Sequence, residues 1–390
     1  MRLMFVTGSL AHGGAEHHSV VLTNRLAERG HDCHVVYVKP AHDQLERLTV
    51  RGTGSVLCLG ARCYLDLAAM RRFAAHLASI RPAALIAANP YALMYATLAR
   101  RLSRLRPRVV VTYHSTRSPG LKEQAKLLAY RPFMWSADCA VFVCQYQRHY
   151  CARRVLLARR NAVIHNGVDA QRFCDRSDVA ARRALRTALG YADSDYVVAM
   201  VAALRAEKNH RQLVEAIARL RVLGIAAKAL LVGDGPLRAE VESHARALAI
   251  DRHVAITGFR ADVRPYLTAC DAVAVCSLTE ALSLSAIEAM AMARPLVHSQ
   301  VGGAAELIDA GRTGLLFPVG DTHALVECLL RLANCEAARQ MGAAARGAAE
   351  STFGQERMVD RYEQLMSALC KSQPLVPLTH AMVLPGKERY

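Results

Sequence analysis

The chain is predicted to fold as two Rossmann-like, doubly wound α/β domains in tandem, facing each other across a cleft. Three observations predict it. Short apolar runs rich in β-branched residues alternate with segments of helical length and spacing. That alternation breaks in a charged stretch around residues 175–195 and then restarts. The 390 residues are also more than a single hydrophobic core usually serves.

Taken in order, "RLMFVTG" reads as a strand and "AEHHSVVLTNRLAERG" as a helix ended by Gly30. "DCHVVYV", "AALIAA", "RVVVTYH", "CAVFVC" and "AVIHNG" are the following strands, with helices between them. The uncharged run Pro82–Ala99 is long enough on paper to cross a bilayer. Asn89-Pro90 divides it into a strand and a new helix, so no membrane span is expected. In the second half "DYVVAMVAAL", "KALLVGDGP", "HVAITGF", "DAVAVCS", "PLVHSQ" and "TGLLFP" are strands. "NHRQLVEAIARLRVLG" and "LRAEVESHARALAI" are helices. The expected division is a first domain over 1–175 and a second over 176–353. A closing helix over about 354–370 packs back on the first domain, and a tail covers 371–390.

With 53% hydrophobic and 21% charged residues, the composition is that of an ordinary globular protein. The opening "MRLMFVTGSLAHGGAE" has only a short apolar run before glycines and an acid, so no secretory signal is expected. The twelve cysteines form no C-x-x-C pair, which points to buried free thiols in a reducing cytoplasm and away from a cysteine metal site. The net charge of +17 is uneven. Residues 1–175 hold 25 Lys and Arg against 10 Asp and Glu, whereas the remainder is nearly balanced. Such a basic half attracts an anion, be it nucleic acid, a phospholipid surface or a phosphorylated acceptor; the alternative is a solvated arginine-rich surface. No aromatic-rich nucleic-acid module accompanies the charge, and the chain holds one Trp, so nucleic acid is not expected as a partner.

Candidate site residues gather where strands give way to helices, the ligand edge of parallel sheets. Gly13 and Gly14 let backbone N–H groups approach an anion at a helix start. They lack the G-x-G-x-x-G spacing of a dinucleotide site, and a plain tight turn is the other reading. Arg205 and Lys208, just past a strand, suit a diphosphate, although such cations are often merely solvated. His114 ends a buried strand and is followed by Ser115 and Thr116. In "TEALSLSAIEAMAMARP", Glu280 falls in the strand-to-helix loop and Glu288 in or near the first helical turns. Ser285-x-x-Glu288 also matches a capping box, so capping and ligand binding stand level for Glu288.

The ordered set "GGAE", "VTYH", "NGVD", "LRAEKNH", "VGDGP", "ITGF", Glu280 plus seven residues plus Glu288, and "VGGAAELI…GRTGLLFPVGD" resembles the family-4 glycosyltransferases. The resemblance covers nearly the whole chain to about residue 370 and is strongest between Ala199 and Asp321. It implies the GT-B architecture and a retaining, metal-independent transfer of sugar from a nucleotide sugar, with no cofactor. By resemblance, Glu288 would hold the ribose hydroxyls, and Glu280 and His114 the donor sugar. Arg205 and Lys208 would neutralise the diphosphate, with Gly13 and Gly14 approaching it from the first domain. Phe259 and Arg260 would line the base, and Ser283 and Leu284 complete the donor loop.

Three positions depart from the family pattern. Ala203 stands where arginine is common, Ala281 and Ser283 replace two loop glycines, and Arg294 replaces a glycine before Pro295. UDP- and GDP-sugars both fit such proteins, with a UDP-sugar preferred here. The basic first half, with Arg100, Arg101, Arg104, Arg106 and Arg108 in one stretch and the mixed segment Arg117–Trp135, points to the inner face of an anionic membrane. A lipid-linked or cell-surface glycan would then be the acceptor. The alternatives are a nucleotide-sugar epimerase of the same fold and, from another class, a basic nucleic-acid-binding protein.

Overall fold

In the first half of the chain, seven parallel strands carry near-continuous apolar sequence because helices cover both faces of their sheet. The computed structural model describes residues 1–50, 52–114, 121–174 and 179–371. Ser115, Thr116, Arg117 and nearly all of the tail lie outside these described residues. The strands are β1 (Arg2–Thr7), β2 (Asp32–Tyr37), β3 (Val56–Cys58), β4 (Ala84–Ala88), β5 (Arg108–Tyr113), β6 (Cys139–Phe142) and β7 (Asn161–Val163). Their spatial order is β3-β2-β1-β4-β5-β6-β7. The second sheet has β8 (Tyr196–Val201), β9 (Ala227–Val232), β10 (Val254–Ile256), β11 (Ala272–Val275), β12 (Leu296–Ser299) and β13 (Leu315–Phe317), in the order β10-β9-β8-β11-β12-β13.

Both sheets reverse their winding beside their first strand. β1 pairs with β2 on one side and β4 on the other, in register Leu3↔Cys33 and Leu3↔Ala84. β8 likewise sits between β9 and β11. At such a reversal the connecting helices leave in opposite directions and open a crevice beyond the strand's carboxyl end. The residues following Thr7 and Val201 therefore line the two crevices, and these are the Gly8–Gly14 and Ala202–Lys208 loops.

The uncharged run Pro82–Ala99 splits as its Asn-Pro step requires, into β4 and the helix Asn89–Ser103 with Pro90 in its first turn. The closing helix Gln355–Cys370 buries Met358, Val359, Tyr362, Leu365, Met366 and Leu369 in the same core as Leu3, Phe5, Ile86 and Val110 of the first sheet. Its return is fixed where the two connections cross. Val168 N–H donates to Phe353 O at 2.8 Å and Gln355 N–H to Val168 O at 2.9 Å. Gly167 is needed at that crossing, since a Cβ there would lie 2.8 Å from the Gln355 Cα. Cys139, Cys144, Cys270 and Cys276 are buried free thiols.

Candidate active site

The first half brings a glycine turn and the start of a helix. Gly13 is the N-cap of Gly14–Glu28, in extended backbone with no oxygen of its own to cap the first turn, and the Glu16 carboxyl takes a backbone N–H there that an anion could otherwise use. Glu16 folds back over this turn; a Cβ on Gly13 would sit 2.3 Å from its Oε2. Burial raises the Glu16 carboxyl above its ordinary value, and Arg205, reaching from the second half, is among the groups that oppose the shift.

Arg205 and Lys208 are held by two further glycines. A Cβ on Gly233 would lie 2.0 Å from Ala202 O, and one on Gly235 would lie 2.5 Å from Leu204 O. That close approach lets Leu204 N–H donate to Asp234 O at 2.9 Å and Leu237 N–H to Leu204 O at 3.1 Å. "VGDGP" is thus stapled onto the loop that carries the cations. Lys208 Nζ lies 2.5 Å from Glu280 Oε2, with side chains 25% and 17% exposed. Ser277 Oγ donates to the same oxygen at 3.4 Å, and Leu278 N–H to Glu207 O at 2.8 Å.

The Glu280 loop rests on Gly302 and Gly303, which the sequence reading quoted as a motif without giving them a role. Gly302 has φ +59°, and a Cβ there would fall 1.9 Å from Glu280 O; Gly303 N–H donates to Ala281 O at 2.7 Å. From the first half, Asn166 Nδ2 donates to Leu282 O at 3.2 Å and Cys144 Sγ–H to Ala281 O at 3.4 Å. Glu306 joins the halves as well. Its carboxylate accepts from the N–H groups of Gln145 and Tyr146, both at 2.8 Å, at the start of the helix Gln145–Ala152, and lies 3.3 Å from His165 Nε2.

The capping-box reading of Ser285 and Glu288 is corrected. Helix Leu284–Ala291 starts at the N-cap Ser283, whose Oγ accepts from Ala286 N–H at 3.3 Å. Glu288 therefore lies beyond the turn whose free N–H groups a cap would serve. It lines a cavity of about 360 Å³ between the halves, together with His17, Arg47, Arg172 and Leu284. Burial pushes its carboxyl up to about 7, against the pull of Arg172 and Arg47. A Cβ on Gly14 would approach Leu284 Cδ1 to 3.7 Å, which puts the two candidate loops in contact range across the cleft.

Phe259, half exposed, stacks on His12 of the first half with ring centroids 4.1 Å apart; Arg260 lies over Tyr266. Both line a smaller recess with Gly13, Arg47, Arg172 and Glu288. His114 directly follows β5, with its N–H donating to Asn89 Oδ1 at 3.1 Å. Its ring is 4.7 Å from that of His18, its buried Nε2 has no hydrogen-bond partner among the described residues, and burial pushes it down to about 4. A neutral imidazole can hydrogen-bond a sugar hydroxyl but brings no positive charge.

Between the halves the structure brings Gly14 near Leu284, Arg205 within the field of Glu16, Phe259 onto His12, and Glu288 beside Arg47 and Arg172. Lys208 pairs with Glu280 within the second half, and His114 lies buried against His18 within the first. Glu16, His17, Arg47, Arg172, Gly302, Gly303 and Glu306 join the sequence-predicted residues. Two doubly wound domains whose ligand edges face each other define the GT-B class of protein. Residues 12–172 match the model of Glycosyltransferase Family 4, and residues 195–335 match that of Glycosyl transferases group 1. The chain belongs to this family-4 type of GT-B glycosyltransferase.

Among relatives, N-acetyl-alpha-D-glucosaminyl L-malate synthase of Bacillus anthracis is 32% identical over 46% of this chain and 48% of its own. O-antigen chain mannosyltransferase C of Escherichia coli is 29% identical over 68% of this chain and 70% of its own. The chain spans about half the length of the first curated relatives it matches. The structure of Anabaena HepE in complex with UDP-glucose superposes with a TM-score of 0.82 at 21% identity, over 94% of this chain and 100% of that one.

Proposed function

We propose that this protein is a retaining, metal-independent glycosyltransferase that moves a sugar from a nucleotide sugar, preferably a UDP-sugar, to a lipid-linked or cell-surface glycan. One observation carries the reading: Lys208 pairs with Glu280, while Arg205 acts across the halves on Glu16, at a helix start whose N-cap is glycine. Glycosyl transfer develops negative charge on the departing diphosphate and an oxocarbenium-like centre on the sugar. Fixed guanidinium, ammonium and backbone N–H groups stabilise the first, and the Glu280 carboxylate faces the second. On diphosphate binding, Lys208 exchanges the carboxylate for phosphate oxygens and frees Glu280 for the sugar. Glu288 accepts from the ribose hydroxyls, Phe259 and Arg260 flank the base, and His114 contacts the donor sugar. No protein nucleophile is assigned.

The UDP-glucose complex of HepE supports a UDP-sugar, and the O-antigen relative supports a cell-surface glycan acceptor. For the site of action we propose the inner face of an anionic membrane. No described helix is long and apolar enough to cross a bilayer. Leu128 and Trp135, on the helix Leu121–Ser136, are each more than half exposed near Arg131 and Arg154.

The test is incubation with a panel of UDP-, GDP- and ADP-sugars and a lipid-linked glycan acceptor, reading release of nucleoside diphosphate and the anomeric configuration of the glycoside formed by NMR. Release with retained configuration, unchanged by a chelator, is expected. An isomerised donor without nucleoside diphosphate would assign an epimerase instead. A rate abolished by chelation would overturn the metal-free mechanism.

A further inference from the structure

The arginine run lies at the edge of the first sheet opposite the cleft. Arg108 opens β5 and His114 follows its end, so the run stands roughly 20 Å from the cleft at about 3.3 Å per residue. Helix Asn89–Ser103 ends there, and Arg104 turns the chain back in the left-handed region, φ +58°. This turn walls a cavity of about 630 Å³ whose lining includes Arg100, Arg101, Arg104, Arg106 and Arg108, with Asp138 its one carboxylate among the described residues.

Asp138 is already committed. It lies 3.5 Å from Arg100 and 3.2 Å from Arg108, and accepts from Val109 N–H at 2.8 Å. Burial lowers Arg100 from its ordinary value; Asp138 opposes this, while Arg101, Arg106 and Arg159 add to it. Five guanidiniums around one concavity repel each other, and a multivalent oxyanion relieves that repulsion through paired N–H···O bonds from the planar guanidiniums. A purely structural role, arginines complementing the carboxyl end of the helix, accounts for Arg100 and Arg101 in its last turn. With Arg108 paired to Asp138, it gives no reason for Arg104 and Arg106 to share the same hollow.

We propose that this cavity is a second binding site, separate from the cleft, for a phosphate-bearing anion: a soluble diphosphate or a phospholipid headgroup. The site does not depend on the transfer reading. Arg101, Arg104 and Arg106 are exposed and lie outside the proposed catalytic machinery, so Arg101→Gln/Arg104→Gln/Arg106→Gln tests it and leaves the Asp138 pairs intact.

Inorganic pyrophosphate is titrated calorimetrically into the wild-type protein, the triple variant and Lys208→Ala, whose lesion lies in the cleft. Vesicles of phosphatidylcholine with and without phosphatidylglycerol are sedimented with the same three proteins. A pyrophosphate site weakened at least tenfold in the triple variant but kept in Lys208→Ala supports a soluble anion. Phosphatidylglycerol-dependent sedimentation, weakened by salt and lost only in the triple variant, supports a headgroup. A folded triple variant that binds both probes as the wild type does overturns the proposal. Should the triple variant fold poorly, Arg106→Gln alone is the fallback, with at least a threefold loss expected for the probe that binds and an unchanged affinity overturning the proposal.

Discussion

Gly302→Ala is expected to cripple turnover through a residue that touches no substrate. The new Cβ would fall 1.9 Å from Glu280 O, whereas ordinary contact begins near 3.4 Å, so the Glu280 backbone must retreat by about 1.5 Å. A displacement of about 1 Å of a reacting-centre group can cost about 100-fold in rate, which sets the expected fall in kcat. Stability suffers separately. Placing alanine at φ +59° costs about 1–2 kcal/mol, and the overpacking about 1–3 kcal/mol more. At about 2–4 °C per kcal/mol, the melting temperature should fall by on the order of 10 °C. Gly320→Ala is the control. Its φ is +79° with nothing within 4 Å, so it should lose only the backbone part, about 1–2 kcal/mol, and keep its kcat. Nucleoside-diphosphate release at saturating donor, well below both melting temperatures, separates the two effects. If folded Gly302→Ala turns over within threefold of wild type, the position of Glu280 does not govern the chemistry and the reasoning fails.

Lys208→Ala and Glu280→Ala should each lower kcat by about 100–1,000-fold with far smaller changes in KM, read as initial rates over a donor series. Because the Glu288 carboxyl is raised from 4.5 to about 7, UDP affinity by calorimetry should weaken as pH falls below 7, approaching tenfold per pH unit, and Glu288→Gln should abolish that dependence. The same raised value makes Glu288 a stability cost that grows from pH 4.5 through 7, so Glu288→Gln should melt higher than wild type above pH 7. Glu306→Gln should destabilise by about 1–3 kcal/mol in urea at pH 7. Burial opposes ionisation of Glu306, but His165 and the Gln145 and Tyr146 N–H groups outweigh it and hold the carboxyl below 4.5. Its contribution is therefore full above that pH, and the gap to the variant should close as acid protonates it.

Strands buried on both faces announce themselves, and β1, β5, β8 and β11 were legible because nothing but apolar residues fits their positions. β3 was not: Val56–Cys58 is three residues long, only partly buried, and supplies no period to read. The cleft cations and both glutamates were legible because each stands at a strand end within a recognisable motif. Arg47 and Arg172 were not, since each is one arginine among many in the basic half and only the packing of the two halves brings them to Glu288. The capping box misled for a related reason. Ser283 and Ser285 are both good caps by composition, and the choice falls to the loop geometry that Gly303 fixes through Ala281. Exposure was equally invisible, and it places the arginine run at the edge of the sheet far from the cleft.

The two carboxylates nearest the anion-binding groups explain how so charged a cleft stays folded without ligand. Arg205, Lys208 and the Gly13–Gly14 helix start all favour negative charge, and left alone they would repel one another across a partly desolvated gap. Glu280 sits on Lys208, and Glu16 sits over the helix start within the field of Arg205. On the proposed reading, each stands in for part of the donor's diphosphate. Glu280 sits in a loop that Gly302 pins through its backbone, and Glu16 in the first turn of a helix, so a ligand need only displace side chains and not rebuild the site. The helix start can give up its N–H groups to a ligand because its N-cap is glycine, which offers no oxygen of its own. A serine there would satisfy the same N–H groups permanently. The sequence "GGAE" therefore leaves the helix dipole unspent and supplies a displaceable carboxylate three residues after the first glycine.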